Sequence, residues 1–164
     1  MVKQFRVDPW TCVAPLAIVE LMKMESMREN ACDYQELTTI HGYQPTIADP
    51  LSMEPMVPLY NEISKVLDET LDHPWEIYRS WFVSYDRGGY QVEHRHDLDG
   101  EAADYSLVVS LMDSSNNGLL ALENGMILDM VQGDGVIFPG GMVHSAGVCI
   151  KPKTIIAMDI RKKS

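Results

Sequence analysis

The spacing of apolar residues changes character near residue 74. Before it, apolar positions fall at helical intervals. After it, they come in short runs broken by turn residues. Residues 13–24 (VAPLAIVELMKM) are dense in apolar helix formers and predict a short helix. Residues 29–56 carry Pro45, Pro50 and Pro55 with few periodic apolar positions and read as loop. Leu59, Ile63, Val66, Leu67 and Leu71 then recur at the spacing that lines one helix face, and Pro58 suits a first helical turn. This part reads as a helical layer packed on a sheet.

From Pro74 onward the candidate strands are 76–85, 90–96, 105–113, 118–123, 126–131, 135–139, 143–150 and 154–160, eight in about 85 residues. Gly88-Gly89, Ser114 to Gly118, Asn124-Gly125, Gly133-Asp134-Gly135 and Gly140-Gly141 punctuate them. Many short strands with glycine turns predict a sandwich or barrel, and eight suit a jelly roll. A parallel α/β sheet is disfavoured, because its crossover helices have no room. The expected fold class is mainly β with N-terminal helices. We expect a single domain over 1–164, with a helical and loop layer over 1–74 and an eight-stranded barrel over 75–161.

Composition narrows the function. Thirteen basic against twenty-four acidic side chains give a net charge of −11. Nucleic-acid binding needs a basic footprint, and an anionic membrane would be repelled, so neither is an expected partner. An anionic ligand would need a local cation. Cys12, Cys32 and Cys149 are an odd set without a C-x-x-C, which argues against a disulfide framework and for a reducing, cytoplasmic setting. MVKQFRVDPW lacks a signal-peptide core, and no apolar run reaches the ~18 residues of a membrane span. The methionines within 22–27 and 53–56 read as core filler, with a homodimer contact as the alternative.

Three histidines carry the candidate chemistry. His94 and His96 are two apart on a predicted strand, and i, i+2 side chains share a face, so two imidazoles can address one point. His144 follows the FPGG turn, where a later strand can bring it alongside. Imidazole nitrogens suit Fe, Zn, Ni or Cu rather than Mg or Ca. Nearby carboxylates are candidates for a further ligand. Glu93 and Asp97 have the opposite strand parity, whereas Asp99 and Glu101 lie past the strand end, where parity no longer constrains them.

Two family patterns overlap on these residues. Gly88, five residues, His94-x-His96, four residues and Glu101 resemble the first cupin motif; Gly133, five residues, Pro139-x-Gly141, two residues and His144 resemble the second. Over roughly 58–161 the chain also resembles the Fe(II)/2-oxoglutarate dioxygenases of the prolyl-hydroxylase-like type. The likeness runs through RSWFVSYDRGG, HRHD, DYSLVVSLMD, GLLALEN, GDGVIFPGGMVHSAG and KTIIAMDIR. Both families are double-stranded β-helices.

The dioxygenase resemblance implies Fe(II), or another divalent transition metal, held by His94, His96 and His144, with 2-oxoglutarate as cosubstrate. A basic residue opening the last strand would grip its distal carboxylate. Lys153, nine residues after His144, is the best match, and Arg161 shares its strand parity at the far end. Trp81, Tyr85 and Tyr90 are candidates to line the pocket. The substrate would be a small molecule or a peptide. These dioxygenases usually carry an acid where His96 stands, so either three histidines hold the metal or Asp97, Asp99 or Glu101 completes the set. The cupin resemblance implies instead a three-histidine metalloprotein acting without 2-oxoglutarate as a dioxygenase or isomerase. A non-catalytic jelly-roll binding protein is the third reading. Lys153 separates the first two: an ammonium inside the barrel favours 2-oxoglutarate.

Overall fold

The computed structural model describes residues 1–28, 39–44, 49–98 and 101–164. Strand alternation places the site, because each strand sends successive side chains into two different layers. In chain order the elements are β1 (Lys3–Arg6), α1 (Val13–Arg28), β2 (Thr39–Tyr43), α2 (Val57–Thr70), β3 (Trp75–His94), β4 (Asp97–Leu98), β5 (Glu101–Ala102), β6 (Tyr105–Ser110), β7 (Leu120–Leu122), β8 (Ile127–Leu128), β9 (Asp134–Pro139), β10 (His144–Ala146) and β11 (Lys153–Lys162). Among the described residues one curled antiparallel sheet runs β1-β9-β6-β11-β3-β10-β7-β8. β2 pairs with β3, and β4 and β5 form a separate pair.

Both predicted helices form. α1 places Pro15 in its first turn, where a missing N–H costs nothing. α2 starts at Val57-Pro58 and buries Leu59, Ile63 and Leu67. Each of these stabilises the fold by about 1.5–3 kcal/mol relative to exposure. They pack with Val19 of α1 against Phe82, Leu107, Val109, Ile137, Ile156, Met158 and Ile160 of the sheet. The alternate residues Val83, Val108, Val136, Phe138, Ile155 and Ala157 form a second apolar cluster inside the curl.

The sheet departs from the expectation in two ways. β1 and β2 arise in segments read as helical or loop-like. β1 is short and mostly exposed, so only its pairing with β9 makes it a strand. The expected strands 76–85 and 90–96 are one continuous strand, β3. It bends at Gly88 (φ +83), a backbone angle that suits glycine. There β3 changes partner from β11 to β10, and the amide of Gly88 donates to the Cys149 carbonyl at 2.6 Å. Cys12 and Cys149 are buried free thiols. Among the described residues no helix is long and apolar enough to cross a membrane.

Candidate metal centre

Register brings the histidines together. β3 and β10 are antiparallel with His94 directly opposite His144. Directly opposed residues on one face are close neighbours. β3 ends at His94, so His96 lies just beyond the strand rather than on it. Its direction is kept by two backbone bonds: its N–H donates to the Gly140 carbonyl at 3.2 Å and its carbonyl accepts from Ala103 at 3.1 Å. Gly140 allows this approach, since a Cβ there would lie 2.0 Å from the Ala103 oxygen. The ring centroids of His94 and His96 are 5.4 Å from that of each other, and those of His94 and His144 are 4.2 Å apart.

The hydrogen bonds fix which nitrogens face the centre. His94 Nδ1 lies 2.9 Å from the Val92 carbonyl and His144 Nδ1 lies 3.0 Å from the Met142 carbonyl. A carbonyl only accepts, so both Nδ1 atoms carry the proton and both Nε2 atoms present a lone pair. His96 Nδ1 lies 2.5 Å from Asp159 Oδ1 and 2.7 Å from Ser106 Oγ. Burial, then the neighbouring His94, pushes His144 down to about 3. Burial also lowers His94, with the charge of His96 adding to it. Neutral imidazole is the form a metal requires.

The three residues offer one ligand atom each, all within 4.8 Å of one another. Nitrogens bound about 2.1 Å from a common ion lie roughly 3–3.5 Å apart, so modest ring rotations close the set. Three nitrogen donors, two buried and that of His94 half-buried, with their outer nitrogens already engaged, fit a divalent transition metal.

The histidines share one pocket with Trp81, Tyr85, Gln91 and Lys153, walled by Val83, Val108, Leu120, Ile155 and Ala157. Lys153 is buried at 4% exposure and its ammonium donates to the Gly118 carbonyl at 2.5 Å. Gly118 (φ +59) tolerates no side chain here, because a Cβ would meet Cys149 Sγ at 2.6 Å. Burial lowers the Lys153 pKa. Tyr85 donates to Gln91 at 2.9 Å, and burial raises its phenol so that it stays neutral.

Arg161 is placed elsewhere: it sits at the far end of β11, pairs with Glu76 and covers the ring of Tyr78, outside this pocket. β11 keeps its alternation past the bulge in β3, since Ile156, Met158 and Ile160 all join the helix-side cluster; Arg161 shares the parity of Lys153 but lies four residues beyond Ala157, the last residue of β11 that lines the pocket. Tyr90 is not among the lining residues, and Glu93 is exposed. Asp99 lies outside the described residues, as do the side chains of Asp97 and Glu101, whose backbones pair β4 with β5.

Three participants escaped the sequence reading: Asp159, Ser106 and Arg79. Asp159 is fully buried. Its Oδ2 accepts from Arg79 Nε at 2.8 Å and from Arg79 Nη2, while Oδ1 faces His96. Burial pushes this carboxyl up, but the hydrogen bond and charge of His96, with the guanidinium of Arg79, outweigh it and hold the pKa below its usual value. Its signal was legible: Asp159 is a lone acid inside TIIAMDI, on the same parity as Lys153, Ile155 and Ala157.

No protein-family model matches the chain, and no curated protein matches its sequence. Solved structures do resemble it. A Pseudomonas putida prolyl-4-hydroxylase has a TM-score of 0.74 at 16% identity, with 99% of this chain and 93% of that one covered. A Trichoplax adhaerens prolyl hydroxylase, solved with a hypoxia inducible factor peptide fragment, has a TM-score of 0.70 at 10% identity, covering 98% and 83%. HygX from Streptomyces hygroscopicus, solved with nickel and 2-oxoglutarate, has a TM-score of 0.66 at 7% identity, covering 99% and 83%. The fold is therefore the jelly roll that these structures share. At these identities the likeness carries the fold alone, and the residues of the pocket carry the argument about function.

Proposed function

We propose that this protein is a non-haem Fe(II)/2-oxoglutarate-dependent dioxygenase, a hydroxylase acting on a small molecule or a peptide. The observation that carries the reading is a buried lysine, Lys153, in the same apolar pocket as three convergent histidines. The metalloprotein reading without 2-oxoglutarate gives such a cation no task. Burying an ammonium costs several kcal/mol unless an anion or strong acceptors meet it. The Gly118 carbonyl takes one of its three donors, which leaves capacity for a carboxylate.

In this reading His94, His96 and His144 hold the metal through Nε2. Lys153 pairs with the distal carboxylate of 2-oxoglutarate and sets its orientation. Bound Fe(II), together with 2-oxoglutarate, supplies dioxygen activation and substrate oxidation. The chain excludes water with Val83, Val108, Leu120, Ile155 and Ala157 and positions the reactants. Tyr85, neutral and held by Gln91, presents a fixed wall beside Lys153, its partner in the β3–β11 register. The similar structures solved with a peptide and with 2-oxoglutarate support this choice of substrate and cosubstrate classes.

The test is anaerobic titration of the metal-free protein with Fe(II) and then 2-oxoglutarate. A weak visible absorption band that saturates at one equivalent of each is the expected result. Stoichiometric Fe(II) binding without that band would leave a metalloprotein and sink the cosubstrate.

A further inference from the structure

We propose that Asp159 is the anionic member of the metal centre, acting through His96 as a positioning residue rather than as a ligand. The proposal rests on the metal-centre reading above and adds to it a residue that no ligand set includes.

Charge sets the problem. Among the described residues lining the pocket there is no carboxylate, and there is one cation, Lys153. Three neutral imidazoles leave a divalent ion with its full charge in a pocket whose walls are mostly apolar. Such a charge is costly unless compensated nearby. Asp159 supplies the compensation one hydrogen bond away. Its Oδ1 lies 2.5 Å from His96 Nδ1, on the side of the ring opposite Nε2. A carboxylate there cannot also reach the metal. It can fix the ring, keep the proton on Nδ1 and raise the donor strength of Nε2, as carboxylate–histidine–metal arrangements do.

The carboxylate is itself held. Arg79 takes only Oδ2, through two nitrogens of its guanidinium, and leaves Oδ1 to His96. Ser106 Oγ lies 3.4 Å from Oδ1 and closes the remaining side. His94 and His144 have only carbonyl oxygens at the equivalent nitrogen. The three ligands are therefore unequal, and His96 is the strong one. An Asp159 that merely paired with Arg79 would need no contact with a histidine.

The decisive measurement is Ni(II) affinity by calorimetry, in the full chain, over four proteins: wild type, Asp159→Asn, His96→Asp and the double variant. Asn keeps shape and an accepting oxygen but not the charge. Asp159→Asn is expected to weaken Ni(II) binding by about 10- to 100-fold. In the His96→Asp background the ligand carries the charge itself and sits near a second carboxylate. There the same substitution should leave affinity unchanged or improve it. An equal loss in both backgrounds, or none in the wild-type background, overturns the proposal alone. A wild type that binds no Ni(II) overturns the metal centre and this proposal with it. Should Asp159→Asn not fold, the wild type still decides the matter. With 15N-labelled histidine and Zn(II), the His96 Nδ1 proton should be protected from exchange and shift as Zn(II) binds. A His96 whose Nδ1 takes the metal or carries no proton overturns the proposal.

Discussion

The two layers on either side of the curled sheet use the same strands and meet opposite demands. On the helix side, Phe82, Leu107, Ile137, Ile156 and Met158 meet α1 and α2 in one apolar cluster. On the inner side, alternate residues of the same strands leave a pocket whose apolar walls surround three imidazoles and one ammonium, with the Asp159–Arg79 pair behind them. One layer gains stability from burial. The other buries polar groups at a cost, and each is met by a placed partner: Val92, Met142, Gly118 or Asp159. Stability and chemistry are separated by strand parity rather than by distance along the chain.

That separation can be broken from either side. The largest expected effects are a matched pair. His144→Ala should abolish tight Ni(II) binding while the metal-free melting temperature changes little. Phe82→Ala should cost about 3–5 kcal/mol of stability and leave the Ni(II) affinity of the folded protein intact. Calorimetry and urea unfolding on both variants check this, and a variant that loses both properties would dissolve the distinction between the layers.

Lys153→Met sharpens the comparison further. Losing the cation should weaken 2-oxoglutarate binding to the Ni(II)-loaded protein by about 2 kcal/mol or more, roughly 30-fold. The folded state disfavours this buried ammonium, so the apolar replacement should hold or raise the melting temperature. Unchanged 2-oxoglutarate affinity would remove Lys153 from the site.

The smallest effect is acid sensitivity of the inner layer. His144 is pushed from 6.5 down to about 3, so within that window the unfolded chain binds a proton that the native chain does not. Metal-free protein should therefore lose stability as pH falls below about 6.5, by at most ~1.4 kcal/mol per pH unit from this group. Urea unfolding at pH 7 and pH 5 in the presence of chelator measures it. His144→Leu should flatten the dependence, and an unchanged slope would assign the sensitivity to other groups.

Much of this was legible in the chain. Helical spacing marks Leu59, Ile63 and Leu67, and all three are buried on α2. His94, His96 and His144 stood out by spacing and by the turn before the last of them, and one pocket holds them with Lys153. The segments that escaped have weak local signals. β1 is exposed along most of its length, and β2 is the short TIHGY with a glycine inside it, so pairing rather than composition makes them strands. Arg161 had the right parity from Lys153 and still lies outside the pocket, because the pocket ends at Ala157 and the strand runs on past it to Glu76 and Tyr78.

The sequence by itself determined the two helices, most of the strands, the jelly-roll class and which three histidines to watch, because periodicity and residue chemistry are local properties. Only the tertiary structure decided which oxygen each imidazole faces, that His94 stands opposite His144, and that a lone acid in the last strand reaches His96. The strand bearing Asp159 arrives sixty-three residues later in the chain, and sheet register alone brings the two side chains into contact.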